Sequence, residues 1–301
     1  MKVNAVVVWI LIILMQLACG RNMAVDPVSG QTNSRVDVSE KQSMNSTKPI
    51  DETKRISFKG VSFHYSQNLS KTVRAADVPS TAPADVSSRP DGVESRHVSF
   101  SFVEFPRHEK PTFSAELKVY NAEEYLAVFS NVNEYHQMVE KKIRNLRSLI
   151  SERPRKISPG EYPFVPFLDA VQILQARPTY IEFKNGRGIA YITQFRHSDP
   201  ILVNNQDIVL VFQGLTSNGK KLISGTFPIS ASFLPDRPYG LEHNGYKVPD
   251  NFYEQREANE IEYSNYVRSI ELLLDSASND VFSPNLEDLK QLFASLEVGI
   301  D

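Results

Sequence analysis

The chain has 301 residues, of which 41% are hydrophobic, and its formal net charge is −3 at pH 7. That composition is sufficient for a large core in one or two domains, and the slight negative charge excludes a global attraction to nucleic acid. A single cysteine, Cys19, excludes a disulfide within the chain, so the fold must rest on packing.

The N-terminus has the layout of a secretory signal. Lys2 precedes an apolar run at residues 5–18, and small residues follow that run. The run is shorter than the ~20 residues that a bilayer-spanning helix needs. We therefore predict an export signal at residues 1–18, with an uncleaved N-terminal anchor as the alternative.

Cys19 stands in a sequence that resembles a bacterial lipobox, in which the cysteine thiol is acylated and becomes the new N-terminus. Ala18 and Gly20 are the small flanking residues of that motif, whereas Gln16 replaces the leucine that it prefers. The resemblance implies lipid attachment at Cys19 to a membrane of the bacterial cell envelope, with the protein facing the periplasm or the exterior. The alternatives are a signal cut elsewhere and a secreted soluble protein.

Residues 19–55 have the composition of a flexible polar tether. Ser, Thr, Asn, Asp and Lys dominate this stretch, and it lacks an apolar periodicity that would bury enough surface to offset ordering entropy. A tether of this kind holds a lipid-anchored domain away from its membrane, although a segment without any role has the same composition. We predict that residues 56–301 form a single globular domain.

The first half of that domain reads as strands followed by helices. Alternating residues predict strands at 57–65, kinked at Gly60, and at 97–105 and 113–120. Asn121 is placed to cap a short helix. Apolar residues at three-and-four spacing then predict a helix over 133–152. Residues 168–177 are compatible with either a helical turn or a strand.

A run of strands at 180–229 is the strongest pattern in the chain. It contains the dipeptides Asn185-Gly186 and Asn218-Gly219, which favour type I′ hairpin turns because both central residues of that turn need a positive φ. Residues 208–212 are apolar on both parities, which is typical of a strand covered on both faces.

The C-terminal part predicts a long connection and two helices. Residues 232–250 are rich in Pro, Gly and aromatic residues without periodicity. A helix is expected from Asn251, with Glu254 at capping-box spacing, and a last helix with Pro284 at its first position. Because strands and helices come in runs, we predict an α+β fold: a mostly antiparallel β-sheet with hairpins, flanked by two to three amphipathic helices on one face.

Motifs for catalysis, metal binding and phosphate loops are missing, so no cofactor or metal is expected. The nearest candidate for a site is the 232–250 loop, whose polar and aromatic side chains suit a sugar or a peptide. The same loop is equally suited to cover a sheet edge as a lid. The candidate binding residues are Asp236, Arg237, Tyr239, His243 and Tyr246.

A second feature is a cluster of basic residues at 141–156, where Arg144 and Arg147 are three residues apart on the predicted helix. One interpretation is contact with anionic lipid headgroups. The other, which we favour from the sequence, is a solvated helix face whose positive charges lie towards the helix C-terminus, where the macrodipole favours them.

Four segments are similar to a family of uncharacterised bacterial exported proteins and lipoproteins: residues 183–186, 204–205, 212–220 and 282–286. This resemblance implies a shared fold but supplies no activity and no catalytic residues. A looser likeness, at the level of the fold, is to PsbP- and Mog1-type domains.

The function that these observations favour is a non-catalytic binding or accessory module, anchored by lipid in the cell envelope, with an envelope protein as a partner. The alternatives are an exported hydrolase-type enzyme that uses the 232–250 loop and a structural envelope protein without a defined ligand. The oligomeric state is left open.

Overall fold

The structure is a computed structural model that describes residues 53–81, 93–106, 109, 111–158, 160, 162–166, 168, 170–197, 199–239 and 242–299. These residues fall in one compact unit, Pro49–Asp301. The signal predicted at 1–18, the lipid site at Cys19 and most of the tether predicted at 19–55 lie outside them.

The described part of the chain contains twelve β-strands and four α-helices. The strands are β1 (Thr53–Phe58), β2 (Val61–Ser66), β3 (Thr72–Val78), β4 (His97–Val103), β5 (Glu116–Asn121), β6 (Val171–Phe183), β7 (Gly186–Arg196), β8 (Val209–Thr216), β9 (Lys221–Pro228), β10 (Ser230–Ala231), β11 (Phe282–Ser283) and β12 (Glu297–Val298). The helices are α1 (Ala122–Ala127), α2 (Asn133–Glu152), α3 (Arg256–Ser276) and α4 (Leu286–Ala294), with a 3₁₀ turn at Asn279–Val281.

Seven strands form the main sheet in the order β3-β4-β5-β9-β8-β7-β6, and every neighbouring pair in it is antiparallel. The four strands from β6 to β9 are the meander that the sequence predicts around residues 180–229. The ambiguous residues 168–177 belong largely to β6. The α+β class with a mostly antiparallel sheet is thereby confirmed.

Helices cover both faces of this sheet, whereas the sequence suggested one. In β7, Ile189 and Tyr191 pack in the core under α1 and α2, while Ala190 and Ile192 pack in the core under α3 and α4. Because the central strands are apolar on both parities, each face must be covered to keep it from water.

A smaller sheet joins the two ends of the described chain in the order β1-β2-β12. β1 begins at Thr53, so three residues assigned to the predicted tether belong to a strand. The hairpin between β1 and β2 has Lys59 and Gly60 as its two loop residues, with φ of 46° and 75°. This is the type I′ geometry that the sequence predicted elsewhere.

The two Asn-Gly dipeptides form hairpins, but the predicted turn type is wrong at both. Between β6 and β7 the loop residues are Lys184 and Asn185, neither of which has a positive φ. Gly186 already belongs to β7, where an added Cβ would lie 2.5 Å from the carbonyl oxygen of Leu215. Between β8 and β9 the loop runs over residues 217–220, and only Gly219, at φ 71°, is left-handed.

The predicted helices are confirmed with two corrections at their N-termini. Asn121 caps α1 by accepting from the amides of Glu123 and Glu124, and α2 has the predicted bounds. In contrast, α3 begins at Arg256 and has no side-chain cap, and the turn that precedes it carries the buried Phe252.

The last helix, α4, begins at Leu286 after Asn285, whose side chain accepts from the amide of Glu287 at 2.9 Å. Pro284 therefore precedes the cap and is not the first helical residue, since Ser283 still pairs with β10. Among the described residues, no helix has both the length and the apolar character required to cross a membrane.

Candidate functional site

The 232–250 loop is anchored by Asn205, which lies in the connection between β7 and β8. The Asn205 side chain donates to the Leu234 carbonyl at 3.0 Å and accepts from the Ala231 amide at 2.8 Å. Its backbone amide donates to the Pro235 carbonyl at 2.8 Å. The same side chain lies 3.4 Å from the carboxylate of Asp236, so that candidate residue is part of the anchor.

His243 and Tyr246, two further candidates, pack against α3. The Nε2 of His243 lies 2.9 Å from the Phe233 carbonyl, which can only accept, so this nitrogen carries the proton. Its Nδ1 then accepts from the Tyr266 hydroxyl at 3.2 Å, and that hydroxyl accepts from the Val203 amide at 3.1 Å. Both ring nitrogens are thus engaged within the fold.

The ring of Tyr246 is buried and stacks on the ring of Tyr266, with centroids 4.8 Å apart and an interplanar angle of 19°. Burial raises the pKa of both tyrosines above the ordinary value. These contacts fasten the loop to the helix, as expected of a cover, and they separate His243 and Tyr246 from Tyr239.

A cleft of about 370 Å³ lies beside the loop, and Tyr239 is the one of the five candidate residues that lines it. Asp236, Arg237, His243 and Tyr246 do not contribute to its walls. The walls are formed by Thr112, Phe113, Leu168, Ala170, Phe195, Arg196, His197, Asp199, Ile201, Gln206, Asp207, Pro238 and Tyr239.

Aromatic side chains form one part of the cleft and leave apolar surface open. Phe113 and Phe195 contact each other inside it, with ring centroids 5.5 Å apart. Tyr239 is 62% exposed and Tyr253 is 54% exposed, and the Tyr253 hydroxyl donates to the wall residue Asp199 at 2.7 Å. Large aromatic residues with this much exposed surface are well suited to contact a ligand.

Arg196, the last residue of β7, places a largely buried charge in the cleft wall. One amino group, Nη2, lies 3.4 Å from both carboxylate oxygens of Glu260, and the guanidinium carbon lies 4.7 Å from the centre of the Tyr263 ring. The other amino group, Nη1, is buried and has no hydrogen-bond partner in the described part of the chain. A buried guanidinium with an unsatisfied donor is an energetically costly arrangement.

The polar floor of the cleft is built by a turn centred on Asn204. Its side-chain oxygen accepts from the amides of Gln206 and Asp207 at 3.0 and 3.2 Å, and the side chain of Gln194 holds its backbone amide at 3.1 Å. This turn directs Gln206 and Asp207 to the cleft, where Asp207 accepts from the Thr112 hydroxyl at 2.5 Å.

No sequence pattern identifies Arg196, Gln206 and Asp207 as cleft residues. The nearest signal is the pair Asn204-Asn205, one of the four segments that resemble the exported-protein family. Asn204 builds the cleft floor and Asn205 anchors the loop that carries Tyr239.

The titratable side chains of the cleft wall are Arg196, His197, Asp199, Asp207 and Tyr239. The described residues include no cluster of three His, Cys, Asp or Glu side chains that would hold a metal ion. The Asp207 carboxylate also accepts from the side-chain amide of Asn204 at 2.8 Å, and this bond stabilises the turn. Comparisons of the chain with protein-family models, with curated proteins and with solved structures find no match in any of the three.

Proposed function

We propose that this chain is a lipid-anchored protein of the bacterial cell envelope whose α+β domain is a non-catalytic binding module. The cleft beside Tyr239 is its binding site, and the occupant is a partner protein or a ligand of the envelope. The membrane attachment is through Cys19, and the tether gives the domain its reach.

The observation that carries this proposal is the combination of open aromatic surface with inward polar groups in one cleft. Tyr239 exposes an apolar face in the cleft wall, and Tyr253 exposes one beside it through its bond to Asp199, while Arg196 and Gln206 contribute polar groups to the wall. A ligand that matches this arrangement has apolar faces and polar edges, as do a sugar ring and the side chains of an extended peptide.

The contacts of the 232–250 loop favour binding over hydrolysis. A hydrolase that used this loop would need His243 as a base with a free nitrogen facing a nucleophile. Both nitrogens of His243 are instead engaged by Tyr266 and Phe233, and neither neighbour lines the cleft.

The binding site is tested by crosslinking in intact envelopes of the native host. A photoreactive phenylalanine analogue replaces Tyr239, and a matched control places the same analogue at Leu272, which is 54% exposed on α3. We expect a specific adduct, protein or saccharide, from position 239 and none from position 272. Equal labelling from both positions, or none from 239, would contradict a binding site in the cleft.

The membrane attachment is tested separately by mass spectrometry of the mature N-terminus. We expect an acylated Cys19 as the first residue. A mature chain with a free, unacylated N-terminus beyond Cys19 would disprove the anchor and leave the binding site to the crosslinking experiment.

A further inference from the structure

A second cavity, of about 280 Å³, lies where the β8–β9 loop meets α2. Two arginines line it, Arg147 from α2 and Arg187 from β7, and no carboxylate does. The complete lining is Arg147, Ile150, Ser151, Arg187, Leu215, Thr216, Ser217, Asn218 and Gly219.

The two arginines differ from Arg144 and Arg153 in having no acidic partner. Arg144 pairs with Glu140 at 3.0 Å, and Arg153 pairs with Glu182 at 2.5 Å. Within the described ranges, Arg147 and Arg187 form no hydrogen bond or ion pair. Glu182 stands opposite Arg187 in the β6–β7 register, but its carboxylate is bonded to Arg153.

The polar side chains of the loop beside these arginines are hydrogen-bonded within the protein. The Thr216 hydroxyl donates to the Asn218 side chain at 2.7 Å and accepts from the Lys221 amide at 3.0 Å. The Ser217 hydroxyl donates to the Asn185 carbonyl at 3.1 Å. The loop therefore acts as a rigid wall, and the guanidinium groups remain as the charged donors of the cavity.

Gly219 shapes the space in front of Arg147. Its φ of 71° is in the left-handed region, and a Cβ added there would lie 2.9 Å from an amino nitrogen of Arg147. The absence of a side chain at this position lets the guanidinium lie against the loop backbone.

We propose that this cavity binds a phosphate group between the guanidinium groups of Arg147 and Arg187. Guanidinium is planar and presents paired donors that match phosphate oxygens, and two such groups complement the charge of one phosphate. The phosphate is that of a phospholipid headgroup or of a soluble phosphate compound. This site is separate from the cleft and does not depend on what the cleft binds.

The test uses phenylglyoxal, which modifies accessible arginines, with mass spectrometry to identify each modified residue. The full-length chain is held in micelles of a phosphate-free maltoside detergent with or without millimolar inorganic phosphate, at matched ionic strength. It is also reconstituted without inorganic phosphate in vesicles of equal parts phosphatidylcholine and phosphatidylglycerol. Arg237, which is exposed, serves as the internal control.

Protection of Arg147 and Arg187, but not of Arg237, supports the site. Protection by inorganic phosphate identifies a soluble ligand, and protection on phosphatidylglycerol vesicles alone identifies a headgroup. At a phosphate concentration about ten times Kd, modification of the two arginines slows about tenfold, because the reagent reaches only the unoccupied site. Protection in neither arm, or equal protection of Arg237, would overturn the proposal.

Lysine variants then test whether binding depends on the paired donors of a guanidinium or on positive charge alone. Arg147→Lys and Arg187→Lys retain the charge but lose the planar fork, so each is expected to weaken binding of the identified probe about tenfold. The control Arg144→Lys should bind as the unmodified chain does. Thermal unfolding verifies that each variant is folded, and unchanged affinity in both arginine variants would rule out recognition by guanidinium groups.

Discussion

Gln213 is a fully buried polar residue in the middle of β8, a strand in which every residue is buried. Its side chain accepts from the Val165 amide and donates to the Val165 carbonyl, each at 3.0 Å, and it also donates to the Ser224 hydroxyl at 2.9 Å. The side chain of Gln213 thereby makes the two backbone hydrogen bonds that a neighbouring strand would otherwise make to the segment at 162–166. An apolar residue at 213 would preserve the packing volume but leave the Val165 amide without a partner, while the Val165 carbonyl would keep only its bond from the Ser224 hydroxyl.

We therefore expect Gln213→Leu to lower the free energy of unfolding by about 3 kcal/mol, because two buried backbone groups lose hydrogen bonds. The measurement is chemical denaturation followed by circular dichroism. Gln137→Leu is the matched control, since Gln137 is exposed on α2 and bonds only to Asn133, and its effect should stay within about 0.5 kcal/mol. Equal effects of the two substitutions would mean that Gln213 does not hold the segment.

At the scale of elements, Arg177 joins β6 to the C-terminus of α3. Arg177 lies in a bulge of β6 with φ 54°, and its amide donates to Asp275 at 2.6 Å. Its guanidinium donates to the carbonyls of Leu274 and Ala277. Because the last turn of α3 has no basic residue of its own, this strand residue satisfies carbonyls that the helix end leaves unpaired and complements the macrodipole.

Two substitutions of Arg177 distinguish the contribution of its guanidinium to stability from the cost of its left-handed backbone. Arg177→Ala should cost about 2–3 kcal/mol of unfolding free energy, because charge-assisted bonds are lost while the left-handed φ remains. Glycine adopts a left-handed φ without strain. The free energy of unfolding of Arg177→Gly should therefore exceed that of the alanine variant by about 1 kcal/mol. Thermal and chemical denaturation check this order, and an alanine variant as stable as the unmodified chain would show that the guanidinium contributes nothing.

Local patterns predicted the elements well where the controlling interactions are local. Periodicity predicted the bounds of α2. Alternation predicted the strands at the end of β6 and in β7, and a continuous apolar run predicted β8. The type of the β6–β7 turn depended on a distant contact: the Asn185 side chain bonds with both backbone groups of Val298, in β12. A dipeptide rule does not contain that partner, so the prediction of a type I′ turn there was wrong.

The candidate site was predictable only in part for the same reason. Loop composition identified Tyr239, but it also selected His243 and Tyr246, whose roles depend on the packing of α3 against the loop. Arg196 ends a strand without any motif. It becomes a wall residue only because the connection from β7 to β8 folds back over the end of its strand.

At the scale of the whole molecule, buried tyrosines lie in the cores on both faces of the main sheet. Tyr120, Tyr162 and Tyr191 belong to the core under α1 and α2, and Tyr263 and Tyr266 to the core under α3 and α4. Burial raises the pKa of all five hydroxyls, to about 12 for Tyr162 and Tyr263. For Tyr263, burial outweighs the nearby Arg196, which lowers the pKa.

The sign of the resulting pH dependence follows from proton linkage. In the unfolded chain these tyrosines lose their protons near the ordinary value of 10.0, whereas folded Tyr263 keeps its proton to about 12. Their stabilising contribution is thus complete below pH 10 and is lost as the pH rises through the folded pKa. Each such tyrosine steepens the fall in unfolding free energy by about 1.4 kcal/mol per pH unit over that window.

The substitution Tyr263→Phe distinguishes the contribution of Tyr263 ionisation to stability from that of its hydrogen bond. The variant loses the bond from the Tyr263 hydroxyl to the Ile201 carbonyl, 2.8 Å long, and should be about 1 kcal/mol less stable at neutral pH. Above pH 10 its stability should decline less steeply than that of the unmodified chain, because one titrating group has been removed. Denaturant unfolding at a series of alkaline pH values measures both slopes, and parallel slopes would mean that Tyr263 ionises alike in the folded and unfolded chains.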